Sequence, residues 1–113
     1  MRPLFLALAL GLAPLPAHAA QLLLFDTAGC YWCARWKAEV GRYYHQTREG
    51  HAAPLRIVSL DRPRPHDLTW MRGVRASPTF VLIDGGREIG RFEGYRGEQV
   101  FWTQVKRMLN QVR

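Results

Sequence analysis

The stretch Gly29-Cys30-Tyr31-Trp32-Cys33-Ala34-Arg35-Trp36 holds both cysteines of the 113-residue chain. A bridge between cysteines two residues apart closes a loop too short to constrain an unfolded chain, because cross-link stabilisation grows with loop length. Stapling is therefore a poor explanation for the pair, and a bond that is made and broken is a better one. Disulfide exchange needs a thiolate that attacks and a second thiol close enough to resolve the mixed disulfide, and this spacing supplies both. The run before it, Gln21 to Phe25, is continuously apolar and is bounded by Asp26-Thr27-Ala28-Gly29, as for a strand buried on both faces. From Cys30 to about Thr47 the pattern turns helical, with Trp36, Val40, Tyr43 or Tyr44 and Thr47 at three- and four-residue steps. At a helix N-terminus, unpaired N–H groups and the helix dipole stabilise the Cys30 thiolate, lowering its pKa below the free value of about 8.5. Cys33, one turn further in, is expected to be buried and less acidic, and Arg35 and Lys37 add positive charge nearby.

Other uses of the pair fit less well. Zinc and iron–sulfur sites need about four protein ligands. The histidines of the domain, His45, His51 and His66, show no paired ligand spacing, so no metal or other cofactor is expected. An inert pair does not account for an apolar strand running straight into Gly-Cys-x-x-Cys and a helix. The aromatic stripe of Trp36, Tyr43 and Tyr44 is ordinary core material.

Working outward, Leu55 to Leu60 alternates and carries Ile57 and Val58, which predicts a second strand parallel to the first across the helical crossover. Asp61-Arg62-Pro63-Arg64-Pro65 reads as a rigid loop, and His66 to Arg72 as a short helix ending before Gly73. Thr79 to Ile83 is a second fully apolar strand. Asp84-Gly85-Gly86 is a hairpin signal that returns the chain through Arg87 to Tyr95 as an antiparallel edge strand, with Gly90 and Gly94 marking bulges or close approaches. Gly97 to Val112 places Phe101, Val105, Met108, Leu109 and Val112 on one face of an amphipathic helix. The sheet is thus expected to be mixed.

The N-terminus reads as a targeting segment. Met1-Arg2-Pro3 makes a positive start, and the apolar run Leu4 to Leu15 falls short of the ~20 residues a span needs. Ala17-His18-Ala19 offers the small-x-small pattern of a cleavage site after Ala19. Residues 1–19 are accordingly read as a signal peptide and 20–113 as one domain, exported to a periplasm or an equivalent oxidising space. At 48% hydrophobic and 12% aromatic residues, the chain can build a core, and disorder is excluded. The formal charge of +7 comes almost entirely from arginines scattered along the domain. Without clustering or a docking element, this argues against nucleic acid as a partner and for steering toward acidic partners or surfaces.

The order β-α-β-(α)-β-β-α with Cys-x-x-Cys opening the first helix resembles the thioredoxin fold. That resemblance implies an α/β fold with a mixed four-stranded sheet, order 2-1-3-4, and helices on both faces. It also implies that Pro78, in Ala76-Ser77-Pro78-Thr79-Phe80, is a cis proline lying against the disulfide. Ser77, Pro78 and Thr79 then become substrate-groove candidates, with Tyr31 and Trp32 as exposed contacts at the rim and Gly94 admitting substrate from the opposite side. More narrowly, the motif around Cys30, the run Ser77-Pro78-Thr79-Phe80-Val81-Leu82 and the run Glu93-Gly94-Tyr95-Arg96-Gly97-Glu98 look like the periplasmic thioredoxins of bacterial sulfur-oxidation (Sox) gene clusters. Such proteins reduce the thiol-carrier protein of that system and draw electrons from a membrane thiol transporter. By this likeness Cys30 and Cys33 are the redox pair of a thiol–disulfide oxidoreductase. Two alternatives stay open at this level: an oxidase or isomerase of folding exported proteins, and a redox-sensing binding module without turnover. One departure stands out. Where thioredoxins proper carry a buried acid on the first strand, this chain has Leu24, which leaves Asp26, Glu39 or water to deprotonate Cys33.

Overall fold

The computed structural model describes residues 20–112, so the expected signal peptide lies outside the described residues. The first strand, β1 (Ala20–Asp26), has Leu22, Leu23, Leu24 and Phe25 with no solvent exposure. Successive side chains of a strand point to opposite faces. Leu22 and Leu24 accordingly enter one core cluster with Trp36, Val40, Tyr44, Phe80 and Phe101, while Leu23 and Phe25 enter a second with Val58, Leu68, Val81 and Ile83. Each such burial contributes roughly 1.5–3 kcal/mol, which makes β1 the spine of both cores.

Strand β2 (Leu55–Ser59) pairs parallel with β1, whereas β3 (Thr79–Asp84) pairs antiparallel with its other edge and β4 (Arg87–Glu93) antiparallel with β3. The order β2-β1-β3-β4 is the expected 2-1-3-4. Gly85 and Gly86, at φ 60° and 80°, make the two-residue β3–β4 turn, in which both central residues need positive φ. In β4 the register slips opposite Leu82 and Ile83, so that Ile89 is the extra residue of a bulge next to Gly90. A Cβ at Gly90 would come 3.1 Å from Met108 Sδ, so both readings of this glycine hold, as bulge and as close approach.

The first helix departs from its sequence pattern. It begins as α1 (Tyr31–Trp36), widens into a π-helical turn (Lys37–Gly41), and ends as α2 (Arg42–Tyr44). Thr47, expected as the last residue of the buried stripe, instead caps a separate helix, α3 (Arg48–Ala52), accepting from the Gly50 N–H at 2.9 Å and donating to the Tyr44 carbonyl at 2.6 Å. The buried Tyr44 hydroxyl donates to the Ala53 carbonyl at 2.7 Å and holds α3 in place. Of the two tyrosines, Tyr44 is the core residue, and Tyr43 reaches out to bond Glu98 at 2.6 Å.

The expected helix from His66 to Arg72 is only a 3₁₀ turn, His66–Leu68. Leu68, Met71 and Val74 recur every third residue and all face the sheet, a spacing that 3₁₀ geometry and its loop continuation satisfy better than an α-helix does. The last helix, α4 (Glu98–Leu109), buries Phe101, Val105 and Met108 on the same sheet face as α1. No described helix is long and apolar enough to cross a membrane.

Candidate functional site

Cys30 is the N-cap of α1, where its extended backbone (φ −75°, ψ 108°) turns the chain from the β1 loop into the helix. Its Sγ accepts the Cys33 N–H at 3.1 Å, and no acidic residue occupies the first turn to oppose a negative charge there. Cys30 and Cys33 are joined as a disulfide with a Cα–Cα distance of 5.3 Å. Cys33 is buried and Cys30 half-buried, as the spacing predicts, so the outer sulfur is the one a partner can reach.

The relocated acid is now visible. Leu24 sits in the apolar core, and Asp26, two residues on, points to the same face of β1 and therefore lies under α1. The Asp26 carboxylate and the two sulfurs lie within 4.8 Å of one another. One carboxylate oxygen is paired with Lys37 Nζ at 2.5 Å, and the other, Oδ1, is buried with no hydrogen-bond partner. Glu39 has different company. Its Oε1 accepts from the Tyr95 hydroxyl at 2.7 Å and its Oε2 from Arg35 Nε at 2.8 Å. The Tyr95 hydroxyl, and next the Arg35 guanidinium, hold the Glu39 carboxyl below the usual carboxylate range. Burial, and next Glu39, push the Tyr95 hydroxyl upward.

Asp26, Cys30 and Cys33 are also the group among the described residues that brings three potential metal-ligating atoms together. With the sulfurs bonded to each other, neither is a thiolate available to a cation, and the chemistry of the set is that of a dithiol couple with an acid beside it.

Ser77–Pro78 is a cis peptide bond, as the resemblance implied. Its loop is fastened at two points. The Ser77 hydroxyl lies 2.6 Å from that of Thr27, whose carbonyl accepts the Cys30 N–H at 3.3 Å, and the Pro78 carbonyl accepts the Gly94 N–H at 2.7 Å. Thr79 is fully buried and donates its hydroxyl to the Ala76 carbonyl at 2.6 Å, so its side chain shapes the loop from inside. Gly94, at φ +87°, has open space where a Cβ would stand. Tyr31 and Trp32 are 60% and 49% exposed and meet edge-to-face at 4.9 Å, which leaves two large rings in solvent beside Cys30. Arg35 lies over both rings at about 6 Å.

Two open clefts flank α1. One, of about 810 Å³, is lined by Asp26, Cys30, Cys33, Lys37, Asp61 and Arg62. The other, of about 590 Å³, runs between Trp32 and Arg35 on one side and Glu93 to Gly97 on the other. The pattern of the sequence had not singled out Thr27, nor Asp61, whose carboxylate accepts the Ala28 N–H at 2.7 Å. Both act through partners far along the chain, which local spacing does not reveal.

A Cys-x-x-Cys pair capping the first helix of a 2-1-3-4 sheet, with a cis proline opening the third strand, defines a thiol–disulfide oxidoreductase of thioredoxin fold. Solved structures agree. The thioredoxin of Fasciola hepatica matches at 21% identity with a TM-score of 0.61 over 79% of this chain and 80% of its own. That of Thermus thermophilus matches at 24% with a TM-score of 0.63 over 80% and 73%. The periplasmic thioredoxin SoxS from Paracoccus pantotrophus, in its reduced form, is 43% identical with a TM-score of 0.77 over 83% of this chain and 99% of its own. No protein-family model and no curated protein matches the sequence. The chain belongs to the SoxS family of thioredoxins.

Proposed function

We propose that this protein is an exported reductase of protein disulfides, in which Cys30 attacks and Cys33 resolves. The observation that carries the reading is the half-buried Asp26 carboxylate, its Oδ1 out of solvent, within 4.8 Å of both sulfurs of a helix-capping dithiol. In the reduced protein, the Cys30 thiolate attacks one sulfur of the partner's disulfide, forming a mixed disulfide and expelling the other sulfur as a thiolate. Cys33 passes its proton to the unpartnered Oδ1 of Asp26 and attacks Cys30 Sγ, releasing the partner's second thiolate. Two electrons have moved to the partner, which leaves the Cys30–Cys33 disulfide as the oxidised product. Tyr31, Trp32, Ser77, Pro78 and Gly94 line the path of the partner's chain, while Thr79 supports it from within.

The periplasmic assignment rests on the leader-like residues 1–19, with cleavage after Ala19, and on the description of the Paracoccus relative as periplasmic. The partner by likeness is the thiol-carrier protein of the sulfur-oxidation system. A membrane thiol-transporting reductase is the donor, since an oxidising compartment cannot itself reduce the pair.

The test is the reduction potential of the 20–113 protein, equilibrated with thiol buffers and read by alkylation and mass. A value near that of thioredoxin, about −270 mV, is expected; one near −120 mV would make the protein an oxidant of folding chains. A reducible pair that fails to accelerate insulin reduction by dithiothreitol would instead mark a redox-sensing module.

Asp26→Asn tests the proton path. Resolution of a preformed Cys30 mixed disulfide should slow by roughly 10²-fold near neutral pH, the lower range for losing a positioned base. The deficit should shrink as pH rises and water takes over the deprotonation. Rapid-quench alkylation measures this, and an unchanged rate at every pH would remove Asp26 from the mechanism.

A further inference from the structure

Glu39 stands in the π-helical turn on the flank of the helix opposite Lys37, and its carboxylate ties together the two walls of the cleft between Trp32 and Arg35 on one side and Gly94 to Gly97 on the other. Toward the active-site helix, it receives Nε and Nη2 of Arg35, whose Nη1 continues to the Tyr31 hydroxyl at 3.2 Å and whose guanidinium lies 5.8 Å from the Trp32 ring. Toward the sheet, it receives the hydroxyl of Tyr95, the residue after Gly94, whose N–H is held by the Pro78 carbonyl. The same carboxylate therefore sets where Trp32 and Arg35 stand on one wall of that cleft, and where Gly94 to Gly97 stand on the other. From this geometry we propose that Glu39 is the positioning residue that fixes the width of that groove, and so its affinity for the extended chain that flanks a protein disulfide.

This rests on the groove assigned above and adds to it a determinant of substrate class: large protein disulfides depend on Glu39, small ones do not. A stability role alone does not explain the arrangement. Arg35 and Glu39 form an exposed i,i+4 ion pair, a type that adds little to folding. The Tyr95 contact, by contrast, spans 56 residues of sequence and ties a buried hydroxyl to the same carboxylate. Residues far from a reacting centre raise effective affinity by holding groups in the bound geometry before the substrate arrives.

The experiment compares the wild-type 20–113 protein with Glu39→Ala, Glu39→Gln and Tyr95→Phe, using insulin as the protein disulfide and hydroxyethyl disulfide as the small one. Glu39→Ala should raise KM for insulin roughly five- to tenfold, the scale of losing a charge-assisted contact, with little change in kcat. The rate with hydroxyethyl disulfide and the Cys30–Cys33 potential should stay at the wild-type level. Glu39→Gln keeps an acceptor for Tyr95 but turns an amide toward Arg35, and Tyr95→Phe removes the other tie, so each should give part of the KM effect even if the alanine variant folds poorly. An unchanged KM in all three folded variants overturns the proposal. So does an equal loss toward both disulfides, because Glu39 would then act on the thiols. A wild-type protein that does not reduce insulin would overturn the reductase reading itself, a result the variants cannot mimic.

Discussion

Cys30→Ser is expected to lower the rate of disulfide reduction by at least about 10³-fold, to the level of the uncatalysed thiol reaction. The outer position has to supply a thiolate, and a serine hydroxyl at the same N-cap neither ionises near neutral pH nor forms a stable bond to sulfur. Cys33→Ala should also stop turnover, but with a different product. Cys30 remains half-buried and able to attack, so each molecule should form one mixed disulfide and then stall, since the buried sulfur that would release the partner is gone. Non-reducing electrophoresis and intact mass distinguish the two variants. An equal yield of trapped adduct from both would mean that the roles of the two cysteines are not divided as their burial implies.

Trp36→Ala is expected to destabilise the fold by about 3–5 kcal/mol, the range for removing a buried aromatic residue. Trp36 has no solvent exposure and meets Phe80 at 5.2 Å, Phe101 at 5.5 Å and Tyr44 at 6.2 Å, so it joins β3, α4 and the first helix in one aromatic cluster. In a domain of this size, such a loss lowers the melting temperature by more than about 12 °C. Trp36→Phe should cost less than half as much. The indole Nε1 is buried without a hydrogen-bond partner, and deleting an unsatisfied donor recovers part of the lost packing energy, on the order of 1–3 kcal/mol. Thermal melts of the oxidised proteins provide the comparison. If phenylalanine costs as much as alanine, the indole N–H is not an unmet donor.

The site divides into a part that local pattern discloses and a part that it does not. Strand β1, the helix-capping dithiol and the Gly85-Gly86 hairpin follow from apolar runs, short spacings and glycine conformations, all of which act within a few residues. The position of Asp26 under α1 was implicit in the two-residue period of β1, since Leu24 and Asp26 share a face. What period alone could not decide was which acid lies beside Cys33: the Asp26 carboxylate stands within 4.8 Å of both sulfurs, while Tyr95 and Arg35 occupy Glu39. The polar stretch from Gln46 to His51 holds no apolar residue to mark a buried helix face. Its helix exists because Thr47 caps it and the buried Tyr44 hydroxyl holds its end. The Thr27–Ser77 bond joins residues 50 positions apart, and no spacing rule reaches that far.

The bulge that lets α4 settle against Gly90 also governs what this molecule can stick to. Loose strands of partly unfolded chains seek any straight, unpaired edge on which to extend a sheet. Strand β4 offers them an edge kinked at Ile89 and Gly90 and lined with the charges of Arg87, Glu88 and Arg91. On the far side, β2 offers only five residues, with Arg56 among them held by Asp67. Both margins of the sheet resist templating, so a partner's loose strand finds no edge here on which to make a lasting contact or seed an aggregate.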